Sequence, residues 1–217
     1  MPALAIVAAA VLCAASAWLL TPWARRIAQS DSRWLHRAVP TALGVVGGAG
    51  AAAIADHWAV ALALCSLAVG SALLVAVDLA VFRLPDAIVW PTTGAVLGML
   101  LVAAIVTGEW ARLGTALLAM LAVGAVYFAL GWFAPQSFGL GDVKLSLVLG
   151  LSLGWFGWQA VLYGMLGGFL IFALAALTLL VTRRTSLKSD IAFGPWMLIG
   201  AWVGLAWGGL VVGAVGA

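Results

Sequence analysis

The stretch WAVALALCSLAVGSALLVAVD, residues 58–78, contains no charged side chain until it ends at Asp78. About 20 mostly apolar residues are enough for an α-helix to cross a bilayer, so this stretch predicts a membrane-spanning helix. Similar apolar runs recur along the chain and are separated by short polar gaps. We predict eight spans, of which the sixth is short, at residues 3–22, 40–56, 58–80, 88–106, 112–133, 143–156, 158–181 and 192–214.

The composition excludes an ordinary water-soluble domain. Of the 217 residues, 66% are hydrophobic and 8% are charged, whereas soluble domains carry about 25% charged residues. We therefore expect an all-α, polytopic membrane helix bundle, with residues 1–217 forming a single membrane-embedded domain in the lipid bilayer. No alternating β-barrel pattern is present. The net charge of +3 does not indicate a nucleic-acid partner, because the basic residues lie in short gaps where they act as topology signals.

The basic residues fall mainly on one side of the predicted bundle. Cytoplasmic loops of membrane proteins are enriched in Lys and Arg, so we predict that this side is cytoplasmic and that both termini lie outside. The first apolar run has no basic residues before it, unlike a secretory signal, so we expect it to be retained as a span. Only Arg112 lies on the other side, whereas nine of the ten basic residues share the first side: Arg25, Arg26, Arg33, Arg37, Arg83, Lys144, Arg183, Arg184 and Lys188.

Two aspartates occur at the ends of apolar runs on this same predicted side. Asp78 ends the third span, and Asp142 closes Gly139-Leu140-Gly141-Asp142 at the entry to the sixth. A carboxylate near hydrocarbon is costly unless it has a partner, and two carboxylates in one site can share a proton. An aspartyl dyad is therefore the first hypothesis. The alternatives are that Asp142 only caps its helix, and that Asp78 is a solvated loop residue paired with Arg83.

The position of each aspartate along its helix predicts different roles. Negative charge is stabilised at a helix start and destabilised at a helix end by roughly 0.3–1 kcal/mol, so we predict that Asp142 ionises first and Asp78 holds the shared proton. Asp86 follows Pro85 and is predicted to cap the fourth helix, with a supporting role in the site as the alternative. Lys144 is predicted to be an interfacial anchor or, alternatively, to stabilise the Asp142 anion.

No metal or other cofactor is predicted. Cys13 and Cys65 lie inside apolar runs without CxxC spacing, and His36 and His57 have no matching ligand at metal-binding spacing. We interpret both cysteines as packing residues.

Tryptophans and glycines are interpreted as architectural. Most of the 12 tryptophans lie near predicted span ends, where an amphipathic ring suits the headgroup region, including Trp18, Trp58, Trp110, Trp155 and Trp158. Glycines at four-residue spacing allow helix backbones to approach closely. They occur at Gly44/Gly48, Gly164/Gly168, Gly200/Gly204 and Gly204/Gly208.

Three sequence elements together resemble those of the type IV prepilin peptidases, membrane aspartyl proteases of the GxGD class. They are Asp78 followed by Leu84-Pro85-Asp86, then Gly139-Leu140-Gly141-Asp142-Val143-Lys144-Leu145, and finally Phe193-Gly194-Pro195 before the last span. The resemblance covers roughly residues 58–214. It implies that Asp78 and Asp142 are the catalytic pair, and the residues expected to bind substrate or support the site are Asp86, Gly139, Gly141, Lys144, Phe193, Gly194 and Pro195.

The same resemblance implies a location and a substrate. Members of the family act in the bacterial inner membrane, where they cut the short, positively charged leader from prepilins or pseudopilins at the cytoplasmic surface. The peptidase step needs no metal.

The chain departs from the family pattern at three places. Larger members carry an insert with two CxxC pairs between their first two spans, associated with zinc and N-methylation. Here that region is the short basic stretch at residues 25–40, which argues against methyltransferase activity. Gln136-Ser137-Phe138 replaces a Glu-Gly-Met lead-in to GxGD, and Ala192 stands where a proline often precedes Phe-Gly-Pro. Both aspartates are unaffected, whereas loop conformation and substrate preference depend on these positions.

The sequence therefore predicts an intramembrane aspartic endopeptidase. One alternative is a proton- or cation-coupled transporter, which would distribute ionisable residues through the bilayer. A second alternative is a non-catalytic subunit of a pilus or secretion machine.

Overall fold

The computed structural model describes residues 3–134, 139–182 and 192–215, and no strand occurs among them. These residues form eight α-helices, and a short 3-10 turn, Arg33–Leu35, lies between the first two. The helices are α1 (Ala3–Ala28), α2 (Ala38–Ile54), α3 (Trp58–Val81), α4 (Asp86–Thr107), α5 (Trp110–Phe133), α6 (Leu140–Gly154), α7 (Trp158–Val181) and α8 (Gly194–Val215).

Each predicted span coincides with one helix, and the largest difference is in α1. The apolar run was predicted to end at residue 22, but α1 continues through Pro22 to Ala28 and carries Arg25 and Arg26 in its last turn. Charged residues limit how much of a helix can lie in hydrocarbon, but they do not terminate the helix.

The fold is a polytopic helical bundle, as predicted. In the described part of the chain, five helices are long and apolar enough to cross a membrane, namely α1, α3, α4, α5 and α7. The α2 helix is apolar but has 17 residues, and α6 has 15 residues. In α8, the side chains from residue 209 onward are outside the described set.

Helix α3 lies at the centre of the bundle. It contacts α1, α2, α4, α6 and α8, while α1 packs mainly on α2, α5 on α6, and α7 on α8. One core of buried apolar side chains draws residues from all eight helices. The carboxyl-terminal end of α3 is therefore surrounded by other elements of the bundle.

The predicted close packing at spaced glycines is confirmed. A Cβ atom at Gly44 would lie 2.8 Å from the Cys13 carbonyl oxygen on α1, and one at Gly48 would lie 2.5 Å from the Ala9 carbonyl oxygen. Between α7 and α8, a Cβ at Gly204 would lie 2.6 Å from Gly164 Cα. Real Cβ atoms do not approach this closely, so each pair of helices depends on these glycines.

The interfacial assignment of the tryptophans stays a prediction for most examples and is wrong for Trp155. Trp18, Trp58, Trp110 and Trp158 are between 45% and 56% exposed, but Trp155 is 1% exposed. Its indole N–H has no hydrogen-bond partner among the described residues. Trp155 follows the last residue of α6, and nearness to a span end does not tell whether the side chain turns into the bundle.

Candidate active site

Asp78 lies four residues before the left-handed turn that terminates α3. Phe82, with φ of 52°, donates its N–H to the Asp78 carbonyl oxygen at 2.8 Å and ends the helix. The Asp78 side chain is buried, with 4% of the residue exposed. Its Oδ2 accepts the N–H of Gly194, the first residue of α8, at 3.1 Å. The alternative of a solvated residue paired with Arg83 is therefore wrong, because the residue is buried and its carboxylate is held by a backbone amide.

Asp142 lies in the first turn of α6 rather than ahead of it. Gly139 is the N-cap residue, and Asp142 occupies the third helical position. From there its Oδ2 accepts the N–H of Gly139 at 3.0 Å. This contact is the side-chain half of a capping box, and Gly139 has no side chain to supply the other half. The expectation that Asp142 directly precedes its helix is corrected, but its capping contact is present.

Leu84 joins the two aspartate-bearing regions. An ideal Cβ at Gly141 would lie 3.0 Å from Leu84 Cβ, and one at Gly194 would lie 3.3 Å from Leu84 Cδ2. The Leu84 side chain therefore touches both the start of α6 and the start of α8. The sequence analysis predicts no role for this residue, since an apolar residue before a proline gives no distinctive signal.

Asp86 and Lys144 form an ion pair that links α4 to α6. The Lys144 Nζ lies 2.7 Å from each carboxylate oxygen of Asp86. Asp86 is the first residue of α4 and Pro85 is the N-cap residue, so the predicted cap is wrong by one position. Lys144 pairs with Asp86 rather than with Asp142. The Asp86 side chain is 57% exposed and the Lys144 side chain is 31% exposed. An exposed ion pair stabilises a fold by about 0–1 kcal/mol.

Phe193 and Pro195 shape the start of α8. Phe193 is buried, and its ring meets Phe172 edge-on with centroids 5.0 Å apart. Pro195 lies in the first turn of α8, where its missing N–H leaves no helical bond unmade. These residues hold the backbone on either side of Gly194, whose N–H binds Asp78.

Tyr127 on α5 is a further buried polar residue near this region that sequence reasoning missed. It is 2% exposed and stacks on Phe169 with centroids 5.7 Å apart. Its ring also lies 6.3 Å from that of Phe193. The sequence does contain a signal for it. Tyr127 is one of only two tyrosines in the chain, and it brings a polar phenol group into a predicted span.

These contacts bring four helix ends together at one end of the bundle. Asp78 accepts the N–H of Gly194, and Leu84 contacts both Gly194 and Gly141, the residue next to Asp142. At the opposite ends of the helices, Arg112 pairs with Asp56 at 2.7 Å and with Glu109 at 3.0 Å. The prediction that the two aspartates share one face is therefore confirmed within the bundle.

Both aspartates accept an N–H at the start of a helix, Asp78 from α8 and Asp142 from α6. The start of α8 therefore offsets the unfavourable end of α3 at Asp78. The assignment of Asp142 as the first to ionise stays a prediction.

Several predicted features lie outside the described residues. They are the Gln136-Ser137-Phe138 lead-in and the basic residues Arg183, Arg184 and Lys188.

Comparison with known proteins supports the resemblance. Prepilin leader peptidase/N-methyltransferases of Aeromonas salmonicida and Aeromonas hydrophila are each 32% identical to the chain over 138 residues, covering 61% of this chain and 44% of the relative. The protein of the same name from Pseudomonas putida is 32% identical over 130 residues, covering 58% of this chain and 42% of the relative. The chain is related to the prepilin leader peptidases. It spans less than half the length of these relatives. No family model and no solved structure matches it.

The names of these relatives also include N-methyltransferase. In this chain the connection between α1 and α2 spans residues 29–37, and the only cysteines are the two in α1 and α3. Cys13 Sγ donates to the Cys65 carbonyl oxygen at 3.7 Å, in keeping with a packing role for both. Two CxxC pairs are therefore absent from the sequence itself.

Proposed function

We propose that the protein is a membrane-embedded aspartic endopeptidase that removes the leader peptide from prepilins or pseudopilins. The observation that carries this proposal is the convergence of Asp78 and Asp142, each held by a glycine N–H, at one end of an apolar bundle. Two carboxylates kept near each other in a partly desolvated site are the machinery of aspartic proteolysis.

In the proposed reaction, one carboxyl group is protonated and the other is ionised. The ionised group, assigned to Asp142, takes a proton from a water molecule that attacks the scissile carbonyl carbon. The protonated group, assigned to Asp78, donates its proton toward the carbonyl oxygen as the tetrahedral intermediate forms. General acid–base steps of this kind typically contribute about 10²–10⁴-fold to a rate.

The GxGD segment fits a role in receiving an extended substrate. Gly139 is exposed and Gly141 is half-buried, and neither has a side chain to keep a second backbone at a distance. A scissile bond within a helix is shielded by the helix and internally hydrogen-bonded. The substrate helix must therefore unwind locally before cleavage.

The location of the reaction follows from the topology that we propose. The basic loops support an orientation in which the end of the bundle with the two aspartates lies at the cytoplasmic face of the bacterial inner membrane, with both termini outside. We propose the peptidase reaction alone and not N-methylation, since the chain lacks the two CxxC pairs of larger family members.

Co-expression with a tagged prepilin tests this function. We expect the intact protein to produce the size shift of leader removal, and Asp78→Asn and Asp142→Asn each to reduce it severely. Asp56→Asn is the matched control, because Asp56 pairs with Arg112 at the other end of the bundle and its loss should leave cutting intact.

Other outcomes of this experiment would contradict the proposal. If the prepilin stays uncut although the intact protein is well expressed, prepilins are excluded as the substrate. This is the result expected if the protein is a transporter. Full cutting by either aspartate variant would exclude the dyad. If the prepilin is cut equally well with the intact protein and with both aspartate variants, another protease in the cell is cutting it. This is the result expected if the protein is an assembly subunit.

A further inference from the structure

A groove on the outer surface of α1 and α2 is not accounted for by the proposed peptidase site. It is lined from α1 by residues between Ile6 and Leu19 and from α2 by Thr41, Val45 and Ala49. Its volume is about 840 Å³, within the roughly 300–1,000 Å³ range of small-molecule sites.

The shape of this groove arises from side-chain size. Ala10, Ala14 and Ala49 are half-buried along it, whereas Val7 and Leu19 on α1 are more than 60% exposed. The buried glycines at positions 44 and 48 draw α2 against α1 behind it. Small residues thus form a depression between larger apolar ones.

The groove has the length of an acyl chain in one leaflet. Residues 6 to 19 of a helix that rises about 1.5 Å per residue span about 20 Å. One leaflet contributes about 15 Å to a hydrocarbon core about 30 Å thick. The groove therefore accommodates a chain that begins at the membrane surface and ends near the midplane.

One end of the groove carries a cation. Trp18 lines the groove, and the Arg37 guanidinium carbon lies 4.0 Å from the centroid of its ring. The Thr41 hydroxyl, at the same end, donates to the Arg37 carbonyl oxygen at 2.7 Å. In the described ranges, the cations that form ion pairs are Arg112 and Lys144. Arg37 is thus oriented by an aromatic ring and forms no ion pair with a carboxylate of the described residues.

We infer that this groove binds an anionic phospholipid, with one acyl chain along α1 and α2 and the phosphate on Arg37. Arginine binds phosphate through two parallel N–H donors, and tryptophan suits the headgroup region. Basic pockets beside membrane helices select anionic over zwitterionic headgroups. A basic substrate leader is disfavoured as the occupant, because the same end of α1 also carries Arg25 and Arg26.

Lipid binding to the purified protein tests the site without any measurement of proteolysis. The protein in detergent is titrated with phosphatidylglycerol or phosphatidylcholine, and bound lipid is counted by native mass spectrometry. We expect phosphatidylglycerol to bind preferentially. Arg37→Gln should weaken that binding by about fivefold, the usual effect of one arginine near an anionic surface.

Two further variants separate a built site from general surface charge. Arg26→Gln removes an equal charge from an exposed residue of the α1 end that does not line the groove, and should leave binding within twofold of the intact protein. Ala15→Trp fills the groove from an exposed position and should weaken binding without changing charge. Equal binding of both lipids, equal effects of Arg37→Gln and Arg26→Gln, or no effect of Ala15→Trp would each overturn the inference.

Discussion

Gly194 donates its backbone N–H to the Asp78 carboxylate at 3.1 Å, across 116 positions of sequence. The same residue has no room for a side chain, since a Cβ atom there would lie 2.7 Å from Asp78 Oδ2. The glycine of the Phe-Gly-Pro element is therefore explained by contact with an aspartate on another helix.

Gly194→Ala should greatly reduce the proposed prepilin cleavage without unfolding the protein. The added methyl group must displace either Asp78 or the start of α8, and a displacement of about 1 Å in a catalytic group can cost about 100-fold in rate. Prepilin cleavage by purified protein measures the loss. The control is Gly98→Ala in α4, where an added Cβ meets nothing within 4 Å. Equal activity of the two variants would show that this contact does not position Asp78.

A bell-shaped dependence of cleavage rate on pH is expected. The rate should fall at low pH as the ionised carboxylate becomes protonated, and at high pH as the protonated partner loses its proton. Both limbs belong to the pair rather than to one residue.

The residual activities of the two aspartate variants distinguish their roles. Asn resembles a neutral carboxyl group in shape and can donate a hydrogen bond, so Asp78→Asn should retain more activity than Asp142→Asn. Each should lose about 10²–10⁴-fold. The reverse order, measured with equal amounts of folded protein, would make Asp78 the ionised member.

The ion pair between Lys144 and Asp86 should matter more for activity than for stability. Lys144→Gln should change the free energy of unfolding by about 0–1 kcal/mol, since the pair is exposed. Lys144 lies two residues after Asp142, so loss of its link to α4 should lower the cleavage rate by about tenfold, or about 1.4 kcal/mol in the barrier.

Charge reversal tests whether the link itself is responsible. The double variant Asp86→Lys with Lys144→Asp should recover part of the lost rate, measured as a double-mutant cycle. Arg112→Gln breaks the ion pairs with Asp56 and Glu109 at the other end of the bundle and should leave the rate unchanged. Additive effects of the two single changes would exclude coupling between Asp86 and Lys144.

Gly200→Val should destabilise the contact between α7 and α8. A Cβ at Gly200 would lie against Gly168 and 2.6 Å from the Gly164 carbonyl oxygen. Forcing extra volume into a packed contact typically costs about 1–3 kcal/mol. Thermal unfolding in detergent measures the change, with Gly98→Val as the control. An equal shift for both variants would show that helix propensity, and not close packing, is the cause.

Much of the helical framework could be predicted from the order of the residues. Runs of about 20 apolar residues must satisfy their own backbone groups in a bilayer, and helices do so within one segment. The alternation of spans also placed Asp78 and Asp142 on one face. The end of α1 and the burial of Trp155 are not predicted. Both depend on which residues are neighbours in the folded bundle and not on where an apolar run stops.

Partner choice within the site was less predictable. Two alternative roles are predicted for Lys144, and the structure pairs it with Asp86. Leu84 gave no signal, although it touches Gly141 and Gly194. Such contacts arise between segments far apart in sequence, so no local pattern specifies them.

Sequence alone determined that this is a multi-pass helical protein with two carboxylates at helix ends on a common side, because hydrophobic length and backbone hydrogen bonding act locally. Tertiary structure decided which amide holds each carboxylate, which side chain neutralises Asp86, and where an apolar groove meets Arg37. Those outcomes depend on the distances between packed helices, which small residues such as Gly194 and Gly48 control from positions remote in the chain.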